Sequence, residues 1–228
     1  MPMLMKMCMD EDLLAYWKPR LAEIAAPAAA DDGAHDLNHL QRVWSVARRI
    51  LDDHPEADGL VVLAACFLHD LVNLPKNHPE RSKASAMAAA QATRALADAG
   101  FPADKLPGVA HAIEAHSFSA GIPPRTLEAR IVQDADRMDA LGAIGLARMF
   151  HVGGQLGRPL AHGTDPLAVG RPLDDTQYAL DHIEAKLLRL PATLHTAAAR
   201  RIAETRAARL RRFRDEFVAE WTGDEQDQ

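Results

Sequence analysis

The residues from Leu60 to Leu68, LVVLAACFL, are apolar without interruption, and the run stops on His69-Asp70. A helix that is apolar all round has no face to give to solvent and must be enclosed by other elements. The run is about half as long as the roughly 20 residues a bilayer crossing needs, so its expected place is the middle of a soluble helical bundle. An ionised carboxylate at the end of such a helix is costly unless it is paired or bound to a cation. Asp70 is therefore expected to have a partner, although a helix end that simply reaches water is the common fate of a His-Asp pair.

The pattern around this run is helical almost throughout. Glu11 to about Ile24 is amphipathic. Leu37, Leu40, Val43, Val46, Ile50 and Leu51 recur at helical spacing behind Asp36, which suits an N-cap, and His54-Pro55 ends the segment. The buried helix is expected from Ala57 to about Val72. Further helices are expected over Ser82–Ala99, closed by Gly100, over Asp104–His116, behind Thr126 towards Met138, and over Ala140–His151. Residues 153–173 are rich in Gly and Pro, and a loop of that length is more often functional than idle. Asp174 and Asp175 then open a helix to Leu190, and Pro191 suits the first turn of a last helix ending near Trp221. No strand alternation is sustained, so the fold class is all-α. The 228 residues are expected to form a single domain: a core over about 30–150, the loop 153–173, and helices over 174–222 packing on the core.

Composition removes several function classes. The formal net charge is −6, which gives no reason to expect a nucleic-acid-coating surface. The tail RRIAETRAARLRRFRDEFVAEW is Arg-rich, but Ile202, Leu210, Phe213 and Phe217 keep a helical stripe, as in a packed helix with a solvated basic face. Cys8 and Cys66 make no disulfide framework, which favours a reducing compartment. The start MPMLMKMCMDED lacks the apolar segment of a secretory signal. The expectation is a cytoplasmic protein with no membrane and no nucleic-acid partner.

Two other helices place polar groups where apolar ones belong. His39 faces the same way as Val43 and Val46. In RIVQDADRMDALGAI, Asp134 lies close to the Ile131 side and points partly inward. Alone, each is more often a satisfied core residue. Together with His69 and Asp70 they put metal-type ligands on three helices. Imidazole nitrogen with carboxylate oxygen suits Mn, Fe, Zn, Co or Ni, with Mg allowed where carboxylates dominate. Four protein ligands, His39, His69, Asp70 and Asp134, leave open positions on a six-coordinate ion for water and substrate.

The order of these residues resembles the HD superfamily of metal-dependent phosphohydrolases. The segments HDLNHLQRVW, CFLHDLVNLPKNHPERSKAS, HAIEAHSFSAGIPP, RIVQDADRMDALGAIGLARMF and RPLDDTQYALDHIEAKLLRLP look like the YedJ-like group of bacterial HD proteins, related to the YpgQ-like proteins. The resemblance implies an all-α HD bundle with additional C-terminal helices, one divalent metal, and hydrolysis of a nucleotide or other small phosphate ester. The YpgQ-like proteins imply a nucleoside triphosphate pyrophosphohydrolase with manganese.

The segment after the metal pair, LVNLPKNHPERS, brings Lys76, His78 and Arg81 beside the expected site, where cations bind phosphate. Asn73 lies one turn beyond Asp70 and can orient a water. Arg137 and Lys186 are further phosphate candidates, each also readable as a solvated surface residue. Asp70 or a nearby histidine, His116 foremost, is expected to take the proton from the attacking water. HPE around His78 and EAHSF around His116 also resemble relatives that hold a second metal. An HD-type di-iron oxygenase and a non-catalytic nucleotide-binding module are the competing classes. The expected partner is a small phosphorylated substrate, and a homodimer is compatible with the sequence.

Overall fold

A computed structural model describes residues 3–28, 36–74 and 78–224. The described residues form helices joined by turns, with no strand among them, so the fold is all-α. The chain divides into two compact units, Met1–Asp136 and Arg137–Gln228.

In the first unit, α1 spans Met3–Ala25, α2 Leu37–Leu51, α3 Gly59–Leu68, α4 Ala84–Asp98, α5 Leu106–His116, and α6 begins at Leu127 and runs to Met138. α3 is the central helix, and every residue from Leu60 to Leu68 is buried. It packs against α1, α2, α4 and α5. Its start is fixed by Asp58, whose carboxylate accepts from the N–H groups of Leu60 (3.0 Å) and Val61 (3.2 Å). Asp58 also pairs with Lys105, and its own N–H donates to Glu128 on α6. The helix is shorter than the apolar pattern predicts: it stops at Leu68, and His69 and Asp70 form the turn beyond it.

α2 buries Leu40, Val43, Trp44, Val46, Ala47 and Ile50, the stripe expected from periodicity, and includes His39 in it. Its N-cap is Asp36, which accepts from the His39 N–H at 2.9 Å. α4 buries Ala88, Ala89 and Ala92. Such small side chains let α5 approach closely with Val109, Ala112 and Ile113. α4 ends where Gly100 takes φ +79°. The Phe101 N–H then reaches the Leu96 carbonyl and the Gly100 N–H the Ala97 carbonyl, the 6→1 and 5→2 bonds of a Schellman motif. Phe101 lies edge-on to Trp17 of α1, ring centroids 4.9 Å apart. Thr126 caps α6, as expected, by accepting from the Ala129 N–H.

In the second unit, α7 spans Gly142–Gln155, α8 Asp181–Ala185 and α9 Ala197–Thr222, with a 3-10 segment over Leu187–Thr193. α7 packs on α9, with Phe150 against Phe213 and Phe217. Gly145 is required where it stands: a Cβ there would lie 2.2 Å from the Ala140 carbonyl oxygen.

Two expected boundaries fail in this unit. The helix expected over 174–190 is only Asp181–Ala185, because Asp181 is buried and committed elsewhere. Both of its carboxylate oxygens accept from Arg171, at 2.6 and 2.8 Å, and it also accepts the Asp174 N–H. Those bonds fold the segment back on the preceding loop. Pro191 sits in the 3-10 segment, and the last helix begins instead behind Thr196, which accepts the Ala199 N–H. The Gly/Pro-rich stretch is held by internal bonds, with Asp165 accepting from Val169 and Gly170 and Arg171 donating to the Asp165 carbonyl. Among the described residues no helix is long and apolar enough to cross a membrane.

Candidate metal centre

His39 enters the first unit on the buried face of α2, and His69 is delivered by the end of α3. Both are about 1% exposed, and their Nε2 atoms lie 3.4 Å apart. Asp70, the next residue in the turn, brings Oδ2 to 3.3 Å from His69 Nε2 and 3.6 Å from His39 Nε2. His39, His69 and Asp70 thus offer one ligand atom each within 4.8 Å of one another. His69 keeps helical backbone angles (φ −63°, ψ −30°) and its N–H still reaches the Ala65 carbonyl, so the two consecutive side chains lean to one point at the very end of α3.

α6 brings the carboxylate of Asp136 to the two imidazoles. Its Oδ1 lies 3.5 Å from His39 Nε2 and 3.7 Å from His69 Nε2. Asp134, the residue expected in this role, is fully buried. The two acids are two positions apart on one helix and so point about 200° away from each other. The apolar pattern says that Asp134 faces inward; it does not say which of the two acids meets the imidazoles. The sequence signal that marks Asp136 is the acid pair itself, Asp-Ala-Asp, in which one member must leave the apolar face.

The donor chemistry suits a divalent cation. His69 Nδ1 lies 3.0 Å from the Cys66 carbonyl oxygen. A carbonyl only accepts, so Nδ1 carries hydrogen and a neutral ring presents its Nε2 lone pair to the cluster, as metal-bound imidazoles commonly do. Two imidazole nitrogens and two carboxylate oxygens match the borderline divalent metals. Without a cation, burial opposes charge on His69, but Asp70, Asp136 and the Cys66 carbonyl together outweigh it and lift the imidazole to about 9. Burial pushes the Cys66 thiol up, which makes it an inert core group.

His116, at the end of α5, completes the rim. Its ring centroid is 4.8 Å from that of His69, and its Nε2 is 3.8 Å from Asp70 Oδ1. Its Nδ1 lies 2.6 Å from the Ile113 carbonyl oxygen, so this ring too points Nε2 at the cluster. Burial and the neighbouring His69 hold the His116 pKa below the usual histidine value. Asp70 and His116 line one cleft with Asn73, Arg81, Ser85, Ser117 and Ser119. Asn73 and Arg81 were expected there; the serines carried no sequence signal. One guanidinium N–H of Arg81 is spent on the Leu74 carbonyl.

His78 Nδ1 accepts the Glu80 N–H and shapes the turn before α4. Lys76 lies outside the described residues. Arg137 and Lys186 belong to the second unit. There Arg137 donates to the Thr193 carbonyl and hydroxyl, and Lys186 is the exposed residue that ends α8.

The family model for the HD domain matches residues 36–141, a span holding every member of this cluster. The uncharacterized protein YpgQ of Bacillus subtilis (strain 168) is 32% identical over 180 residues, which cover 77% of this chain and 79% of that protein. The chain belongs to the HD-domain family. Among solved structures, this HD-domain protein is similar to Bacillus subtilis YpgQ in complex with ADP, at TM-score 0.69 and 26% identity, over 91% of this chain and 96% of that one. It is also similar to an HD-superfamily hydrolase from Bacillus thuringiensis, at TM-score 0.68 and 27% identity, over 93% of this chain and 98% of that one. The resemblance read from the sequence segments is thereby established at the level of the family.

Proposed function

We propose that this HD-domain protein is a metal-dependent phosphohydrolase acting on a nucleotide or another small phosphoanhydride. The observation that carries the proposal is the buried pair of Nε2 atoms, 3.4 Å apart, flanked by the carboxylates of Asp70 and Asp136. His39, His69, Asp70 and Asp136 are the residues that would hold one divalent ion, manganese first among the metals this donor set suits. Such an ion acidifies a water and neutralises charge developing on phosphoryl oxygens. The relative solved with ADP and the relative described as a hydrolase support a nucleotide as substrate.

The chain's own residues supply the rest of the chemistry. His116 is held in one tautomer by the Ile113 carbonyl, and its Nε2 faces the cluster as a proton acceptor for the attacking water. Asp70, between the imidazoles and His116, would help to hold the ion and sets a carboxylate oxygen 3.8 Å from that histidine's Nε2. Arg81 and Asn73 line the adjoining cleft and donate to phosphate oxygens.

The test is turnover. Purified protein loaded with manganese is assayed for phosphate and pyrophosphate release over a panel of nucleotides, beside Asp70→Ala. Release by the parent protein and its loss in Asp70→Ala support the proposal. Full activity in Asp70→Ala overturns it. Tight nucleotide binding without product points instead to a regulatory module, and oxygen consumption with two irons per chain points to an oxygenase. The engagement of His78 with the Glu80 N–H gives the latter no structural support.

A further inference from the structure

His111 lies on α5 ahead of His116, and its ring fastens the chain that leaves that helix. Its Nε2 accepts the Arg125 N–H at 3.0 Å, fourteen residues on. A ring nitrogen that accepts from an N–H carries no hydrogen of its own, so His111 is neutral and its hydrogen sits on Nδ1. Nδ1 is buried and, among the described residues, has no hydrogen-bond partner.

This place does not accommodate a second proton. The proton would have to go on Nε2, where the Arg125 N–H already points, and two donors would then face each other. The buried Nδ1–H offers no acceptor to share the charge with. Burial first, and the Arg125 guanidinium second, hold the His111 pKa below the usual histidine value, with Glu114 of α5 itself pulling the other way. Among the described residues, α3 and α4, the helices packed on α5, add no further charge to the ring. His111 is only half-buried, so a change of rotamer brings the ring to solvent.

Residues 117–125 join α5 to α6 and include Ser117 and Ser119, which line the cleft with Asp70 and His116. Arg125 directly precedes Thr126, which caps α6. The two helices share a second tie that does not titrate: the buried Gln133 amide donates to the Ala115 carbonyl at 2.6 Å. Loss of the His111 tie therefore frees the joining segment without separating the helices.

We propose that His111 is an acid-sensitive latch on the cleft: neutral, it holds residues 117–125 to α5; protonated, it lets go and releases the rim that carries Ser117 and Ser119. The closed latch excludes a proton that the open latch, with an ordinary histidine of about 6.5, takes up. The closed form is fully favoured above pH 6.5, and its advantage is lost as pH falls below that value, by up to about tenfold per unit.

Amide hydrogen exchange of the full chain, corrected for intrinsic rates, tests this at about pH 7.5 and about pH 5.5 in parent protein, His111→Gln and His111→Ala. Glutamine keeps an acceptor and does not titrate. In the parent, protection of the Arg125 amide and of the segment before it is expected to fall by up to about tenfold at the lower pH. In His111→Gln and His111→Ala it should be the same at both, and low throughout in His111→Ala. Acid release of a metal from the His39–His69 cluster is common to all three chains, so the difference between parent and variants reads His111 alone. Equal parent protection at the two pH values overturns the proposal, as does a His111→Gln chain that loses protection in acid as the parent does. Ring nitrogen shifts of the parent need no variant. An Nδ1–H tautomer that titrates below 6.5 together with the Arg125 amide supports the latch, and an Nε2–H tautomer overturns it.

Discussion

Nε2 of His39 and Nε2 of His69 stand 3.4 Å apart, although one residue belongs to α2 and the other follows α3. At that separation two ring nitrogens are compatible only if one carries a proton towards the other or both turn to a cation. With Asp70 and Asp136 beside them, the arrangement is built for positive charge.

The choice between the two acids of α6 is directly measurable. Asp136→Asn is expected to weaken manganese binding by at least about 100-fold while leaving the melting temperature of the chelator-treated protein near that of the parent. Asp134→Asn, at a fully buried position, is expected to lower the melting temperature and to affect metal content less. Metal titration and thermal melts of both variants decide it; the reverse pattern would return the ligand role to Asp134.

Metal binding must displace a proton. In the metal-free chain His69 sits at about 9, above its unfolded value of 6.5, so folding favours its protonated form. Its contribution to the stability of chelator-treated protein is therefore fully present below pH 6.5 and lost as pH rises through about 9. Manganese competes with that proton, so metal affinity rises over the same interval. Melting temperatures of the chelator-treated protein that do not fall between about pH 6 and about pH 10 would count against this account.

His116→Ala is expected to lower kcat by about 10²- to 10⁴-fold with bound manganese unchanged, since the ring faces Asp70 without being one of the closest ligand groups. Parallel loss of metal and activity in this variant would show it to be a ligand instead.

In the second unit, Arg171→Met removes the ion-pair partner of Asp181 and leaves a buried carboxylate that, among the described residues, keeps the Asp174 N–H alone. Breaking a buried pair from one side costs about 3–5 kcal/mol, enough to lower the melting temperature by several degrees. Denaturant unfolding would read it. Arg171→Met with Asp181→Leu should recover much of the loss, because the uncompensated charge is then gone as well.

Much of this molecule is readable in the chain itself. The apolar run 60–68 announces the central helix, Asp36, Thr126 and Gly100 mark helix ends that form as expected, and His39 stands out because an imidazole occupies a core position. The failures share a cause. The helix expected over 174–190 is replaced by a short one because Arg171, ten residues before Asp181, claims that carboxylate. No local pattern announces such a pairing.

The sequence by itself determined that the fold is all-α, that α3 is enclosed, and that His39, His69 and Asp70 are metal-type groups in apolar surroundings. These follow from side-chain periodicity and from the cost of burying charge, which act within one element. Only the tertiary structure decided that Asp136 meets the imidazoles and that His116 turns Nε2 towards them. Those facts depend on how helices are rotated against one another. A rotation of one helix exchanges Asp134 for Asp136 at the same depth, and periodicity alone cannot fix it.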